Sequence, residues 1–159
     1  MMKQLVTQDF CLKCRGCCRF KEADSVWAPT VLDEEEKLIP TFAISSNKKI
    51  RALPSAEKIN NFICSFLNSQ DNKCNIYEGR PFECRLYPFI INRKENKAFL
   101  ALDLNCPFVK ENIDSEGLKE YSRELAELFN SPRYKICFKD NPRIIQAYPE
   151  AANLIEINI

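Results

Sequence analysis

The sequence predicts a small α+β domain organised by metal, and three observations carry that prediction. Nine cysteines stand in a chain without histidine, apolar residues run in short stretches around polar turns, and a segment near 115–130 repeats its apolar residues at helical spacing. A length of 159 residues, 45% hydrophobic and 28% charged, suits a single domain over 1–159 that buries about two thirds of its extended surface.

The elements follow in order. Asp33–Ile39 reads as a short helix, with Thr30 or Asp33 as N-cap, its acids in the first turn where the helix dipole favours them, and Pro40 as its stop. Ile59 to Leu67 and Lys73 to Tyr77 read as strands of a hairpin joined by Asn68–Asn72, which would set Cys64 and Cys74 on neighbouring strands. Arg80–Arg85 suits one helical turn opened by Pro81. Tyr87 to Asn92 and Ala98 to Leu104 form a second hairpin around Arg93–Lys97. From Asp114 or Ser115, the stripe Leu118, Tyr121, Leu125, Leu128 and Phe129 makes an amphipathic helix that stops near Ser131–Pro132 and serves as core packing. A further short helix begins at Asn141–Pro142, and the tail from Ala151 carries no decisive pattern.

Composition excludes whole classes of chemistry. Without imidazole there is no Ser-His-Asp or Cys-His nucleophile, no two-His facial triad and no Cys2His2 finger. Gly16, Gly79 and Gly117 are the whole glycine complement, so neither glycine-rich nucleotide motif can be written. A formal charge of +1 offers no field for nucleic acid. Apolar runs such as Ala98–Leu102 fall far short of the roughly 18 residues of a membrane span, and no apolar signal core opens the chain. A reducing cytoplasm, no membrane and no nucleic-acid partner are therefore the expectations.

The cysteines are grouped. Cys11, Cys14, Cys17 and Cys18 form a knot, Cys64, Cys74 and Cys84 recur every ten residues, and Cys106 and Cys137 follow singly. Thiolates are soft ligands, and four satisfy tetrahedral zinc or the corners of an iron–sulfur cluster. The run Cys11-x2-Cys14-x2-Cys17 has the spacing with which bacterial ferredoxins grip three corners of a [4Fe-4S] cluster, but Cys18 and Arg19 replace the ferredoxin continuation. Lys21 stands where radical-SAM spacing would need a cysteine. Cys17 and Cys18 are adjacent, and adjacent side chains on most backbones diverge, so they are expected to face different centres. Setting Cys137 aside, eight cysteines fill two four-thiolate sites, or one such site with four thiols left for a second metal or redox work. Disulfides are disfavoured by an odd count and by the absence of any export signal. Cys137, between Ile136 and Phe138, reads as a small core hydrophobe.

Three blocks carry a family resemblance: Phe10–Arg19 with Gly16 before the paired cysteines, Cys64–Leu67 with Cys74–Phe89, and Cys106–Pro107. Over about residues 10–108 the chain resembles the YkgJ-type cysteine cluster proteins, whose C-x2-C-x2-C-C domain is described as zinc- or iron-chelating. Where that family continues with Gly after Cys-Pro, this chain has Phe108. The resemblance implies a metal-binding module over 10–108, with Cys11, Cys14, Cys17, Cys18, Cys64, Cys74, Cys84 and Cys106 as ligands and a helical C-terminal extension over 109–159. Flagellin lysine N-methylases contain a similar domain, which does not by itself carry their activity over.

Four thiolates around a zinc ion or a [4Fe-4S] core leave about two excess negative charges. Arg15, Arg19, Arg80 and Arg85 can offset them, Arg80 and Arg85 foremost. Three functions remain in view: a metalloprotein module with zinc or iron–sulfur centres acting in redox or electron transfer, an enzyme on a protein substrate of the lysine N-methyltransferase kind, and a zinc-stapled adaptor for a protein partner. The sequence names no catalytic residue.

Overall fold

The computed structural model describes residues 2–56 and 61–159. The chain forms two compact units, Val6–Arg85 and Leu86–Ile159, the latter including the described part of Met1–Leu5. Helices and antiparallel strands occur together, so the α+β class expected from the sequence is the class observed.

The unit Val6–Arg85 is made of short pieces. Helix α1 (Gln8–Cys14) leads to β1 (Arg19–Phe20), which joins β2 (Ala52–Pro54) and β3 (Phe62–Cys64) in an antiparallel sheet ordered β1-β3-β2. Arg19 lies opposite Ile63, and Ala52 opposite Cys64. Strands β4 (Leu67–Asn68) and β5 (Lys73–Cys74) form a separate ladder with Leu67 opposite Cys74. The expected first hairpin is thus cut short, and Cys64 and Cys74 stand in different sheets. Its turn chemistry explains this: the Asn68 side chain accepts Gln70 N at 3.0 Å, Asp71 accepts Lys73 N at 3.1 Å and Asn72 adopts φ 60°. Such local bonds compete with ladder bonds and end the pairing. Ile59 and Asn60, at the start of the expected strand, lie outside the described residues.

The helix expected over Asp33–Ile39 shrinks to a 3-10 turn at Glu36–Leu38, followed by another at Thr41–Ala43. Seven residues nucleate a helix poorly, and Glu35 is drawn inward, where its carboxylate accepts Leu32 N at 3.1 Å and Phe82 N at 2.7 Å. Side chains here do what ladders do elsewhere. Buried Lys49 donates to the carbonyls of Val26 at 2.9 Å and Ala28 at 2.7 Å, and Thr30 N donates to the Glu83 carboxylate. Beneath these loops Phe20, Ala28, Val31, Ile39, Ala43 and Ile50 pack with Cys64, Phe66 and Leu67. Helix α2 (Phe82–Leu86) takes the place of the turn expected over Arg80–Arg85, with Pro81 just before its first residue rather than in it.

The second unit is regular. Strands β6 (Phe89–Lys94) and β7 (Lys97–Asp103) form the expected hairpin, with Phe89 opposite Leu102 and Glu95 in the turn at φ 55°. After α3 (Pro107–Asn112) comes α4 (Glu116–Phe129), capped by the Ser115 hydroxyl, which accepts Leu118 N at 3.3 Å. The expected stripe is its buried face, with Leu118, Leu125 and Phe129 inside. Pro132 ends nothing further: it opens α5 (Pro132–Asp140), whose Phe138 meets Phe129 edge-on at 5.3 Å. The region 109–159, expected to be helical, closes with strand β8 (Ala151–Ile157), which pairs with the second edge of β7 and makes β7 the middle strand. Helix α4 packs over β7 and β8. Leu100 and Ala101 of β7 are wholly buried. Among the described residues no helix is long and apolar enough to cross a membrane.

Candidate metal centre

The first cysteines sit on α1 and on the turn after it. Cys11 and Cys14 are three residues apart and therefore neighbours on one helix face. Arg15 closes the helix at φ 53°, and Arg19 N then donates to Gly16 O at 3.1 Å, placing Cys17 and Cys18 at the two corners of a tight turn. Gly16 has a steric reason to be glycine: a Cβ there would lie 3.1 Å from Cys14 Sγ. The turn also alters the expected relation of the adjacent cysteines. Instead of facing apart, the thiols of Cys17 and Cys18 lie close enough to titrate as a pair, because turn corners need not alternate as strand residues do. Cys18 and then burial push the Cys17 thiol well up, while Cys17 and the charges of Arg19 and Arg80 hold Cys18 below the ordinary thiol range. Cys17 remains exposed.

Three further cysteines approach from other elements. Cys64, at the end of β3, donates its N–H to Cys18 O at 2.9 Å, and burial together with Cys18 pushes its thiol up to about 12. Cys74 on β5 is raised by burial and by Cys18, with Arg80 pulling the other way. Cys84, on α2, is raised well above the ordinary range by burial, then by Cys18, Cys64 and Cys74. Helix α2 is held at its first two residues, through Phe82 N on Glu35 and through Glu83 on Thr30 N.

Arg80 donates from Nε to Tyr77 O at 2.7 Å and lays its guanidinium 3.6 Å from the Tyr77 ring centroid, a rigid perch for a charge felt by two thiols. Arg85 reaches Glu35, Nη2 to Oε1 at 3.4 Å. Three residues gained roles that sequence reasoning had not assigned. Asn72 donates to Leu12 O at 2.6 Å and Cys11 O at 3.3 Å while accepting from Arg19 Nη1 at 2.7 Å, so it ties the β4–β5 turn to α1. Its place in an Asn-rich turn hinted at φ above zero but not at the tether. Glu35 and Glu83 anchor α2, and nothing set them apart from the surrounding acids. Cys106 lies in the other unit, buried at the start of α3, where Phe108 continues the helix. Cys137 is half-buried on α5 rather than in the core beside the fully buried Phe138.

Among the described residues no three Cys, Asp or Glu side chains are set closely enough to hold a metal ion as they stand. The donor chemistry nonetheless fits a metal. Thiols that raise one another's pKa are crowded anions once deprotonated, and a soft cation between them removes the penalty while drawing the sulfurs inward.

Residues 10–112 match the family model CxxCxxCC, described as "Putative zinc- or iron-chelating domain". The chain belongs to this family. A curated relative from Acinetobacter calcoaceticus, named "Putative ferredoxin", is 30% identical over 127 residues, which cover 77% of this chain and 98% of that protein. No solved structure matches. Metal binding through the cysteine cluster is the function this membership supports, and the matched region reaches from the knot through Cys106.

Proposed function

We propose that this cysteine cluster protein holds an iron–sulfur centre and serves in one-electron transfer. One observation carries the reading: Cys11, Cys17, Cys18, Cys64, Cys74 and Cys84 form a chain of electrostatically coupled thiols beside two arginine charges, a setting suited to a centre whose negative charge changes by one electron. The relative named as a ferredoxin supports it. Ligands are drawn from the eight cysteines Cys11, Cys14, Cys17, Cys18, Cys64, Cys74, Cys84 and Cys106. A bound cluster supplies a site that gains and loses one electron. Arg80 and Arg19 offset the negative charge of the thiolates, and Arg85 steadies α2 through Glu35. The apolar residues around Cys64 limit water at the sulfurs.

Protein purified without oxygen tests this. Iron and acid-labile sulfide in matching amounts, with a visible absorption that bleaches on reduction and returns on oxidation, are expected. Colourless protein carrying zinc would overturn the electron-transfer reading.

A further inference from the structure

We propose that the outward face of α5 and the turn after it dock an acidic segment of a partner protein, with Ile136 as the apolar centre and Arg133, Lys135, Lys139 and Arg143 as the charged rim. This surface belongs to Leu86–Ile159 and owes nothing to the metal centre.

Sequence and packing together set this face. Tyr134 and Phe138 are four residues apart and turn inward, Phe138 edge-on to Phe129 at 5.3 Å and Tyr134 tilted against the same ring at 5.1 Å. At about 100° per residue, Ile136 falls opposite that pair, and it is 61% exposed. Arg133 stands to one side of it, Lys135 and Lys139 to the other, and Arg143 follows in the 3-10 turn Pro142–Ile144; all four cations are exposed. Residues 132–143 carry them against Asp140 alone, a net +3 in a chain whose formal charge is +1, so the other 147 residues stand at −2.

Helix physics by itself disfavours the arrangement. Arg133 and Lys135 lie within the first four residues of α5, where the positive end of the helix dipole repels them, and the first turn holds no acid to offset them. Lys135 and Lys139 are like charges four residues apart, an unfavourable pair on a helix. Among the described residues none of the four cations enters an ion pair. A partner's carboxylates relieve both penalties, and local choices that work against the fold collect where a chain serves binding. The chemistry selects a protein as that partner. An apolar centre inside a charged rim is the anatomy of a protein–protein interface. The rings of α5 pack on Phe129 and on each other rather than standing out for bases to stack on, and one isoleucine is far less than the apolar face with which a helix lies in a bilayer surface.

The test uses the full chain as purified with its metal, and a fluorescent glutamate-rich peptide with one central leucine, its glutamine counterpart serving as control. Fluorescence anisotropy is expected to show binding of the glutamate peptide, weakened at least about tenfold by about 0.5 M NaCl. Lys135→Glu and Lys139→Glu should each weaken it about threefold or more, the two together at least about tenfold, and Ile136→Ser about threefold. Lys94→Glu, at the exposed end of β6, makes the same change of net charge and should leave binding unaltered. All these positions are exposed, so thermal unfolding should not move. Carbodiimide cross-links from the peptide, mapped by mass spectrometry, should fall on Lys135 and Lys139. Equal weakening by Lys94→Glu, equal binding of the glutamine peptide, or cross-links spread over the other lysines overturns the proposal. So does tighter binding of oligothymidylate or of phosphatidylserine vesicles than of the peptide, which would make the face a site for nucleic acid or membrane. Absence of binding at about 1 mM peptide overturns it as well. None of these readouts depends on which metal is bound, so failure here leaves the electron-transfer reading standing.

Discussion

The two units solve one problem in different ways. In Leu86–Ile159 a three-stranded sheet and a long helix each pair their own backbone groups, and Leu100, Phe129 and Phe138 are wholly buried. In Val6–Arg85 the longest strand among the described residues has three residues, and backbone groups of Val26, Ala28, Thr30, Leu32 and Phe82 are met by the side chains of Lys49, Glu83 and Glu35. Seven thiols share that irregular unit. The comparison teaches that regular packing can stand on its own apolar core, while loops stitched by single side chains have most to gain from a further cross-link, the role expected here of the metal.

Removing the metal should break the comparison open. A structural thiolate site contributes on the order of 10 kcal/mol, so chelation under anaerobic conditions is expected to abolish amide protection in β1, β3 and α2 while β7 stays protected. Hydrogen exchange read by mass spectrometry decides it, and unchanged protection in Val6–Arg85 would remove the metal from its structural role. The converse perturbation is smaller. Leu100→Ala, at a wholly buried position of β7, is expected to cost about 2–5 kcal/mol and to leave metal content unaltered. Denaturant unfolding and metal analysis on the same sample test both halves.

Charge effects come next. Arg80→Leu removes a positive charge near Cys18 and Cys74 and is expected to disfavour reduction by about 1–2 kcal/mol at an effective dielectric of about 20. Arg123→Leu, on the exposed side of α4, should leave the potential alone, and Arg85→Leu should act mainly through the anchoring of α2. Equal shifts from Arg80→Leu and Arg123→Leu would reduce the effect to net charge.

The smallest effect is expected from Glu35. Burial raises its pKa despite the two N–H donors and Arg85, so the folded chain holds this proton to higher pH than the unfolded chain does. Its contribution to stability is full below the unfolded value and falls as pH rises through the folded one. Glu35→Gln keeps a carbonyl acceptor and does not titrate, so its stability should decline less than the wild type's across that window. Identical curves would show that Glu35 does not titrate there.

Legibility in the sequence followed the same division. The stripe from Leu118 to Phe129, the Ser115 cap and the hairpin around Glu95 could be read because each rests on periodicity or turn chemistry within a few residues. The separation of Cys64 from Cys74 could not, since it depends on β3 pairing with strands far away in sequence. Strand β8 was hidden for the same reason: its pairing partner is β7, some fifty residues earlier. Among the site residues, the cysteines announced themselves by spacing. Glu35, Glu83 and Asn72 act through contacts about fifty to sixty residues away and resemble any acid or amide in a loop.

The bond from Cys64 N to Cys18 O also orders events in time. Synthesis runs from the N-terminus at about 5–20 residues per second, so the knot at Cys11–Cys18 is exposed for seconds before β3 exists to receive it. In that interval only the thiols of one helix and one turn are present, and Cys64, Cys74 and Cys84 join them later. In chain order, then, the thiols of the knot stand well ahead of the strands and the helix that bring the other thiols of this unit to them.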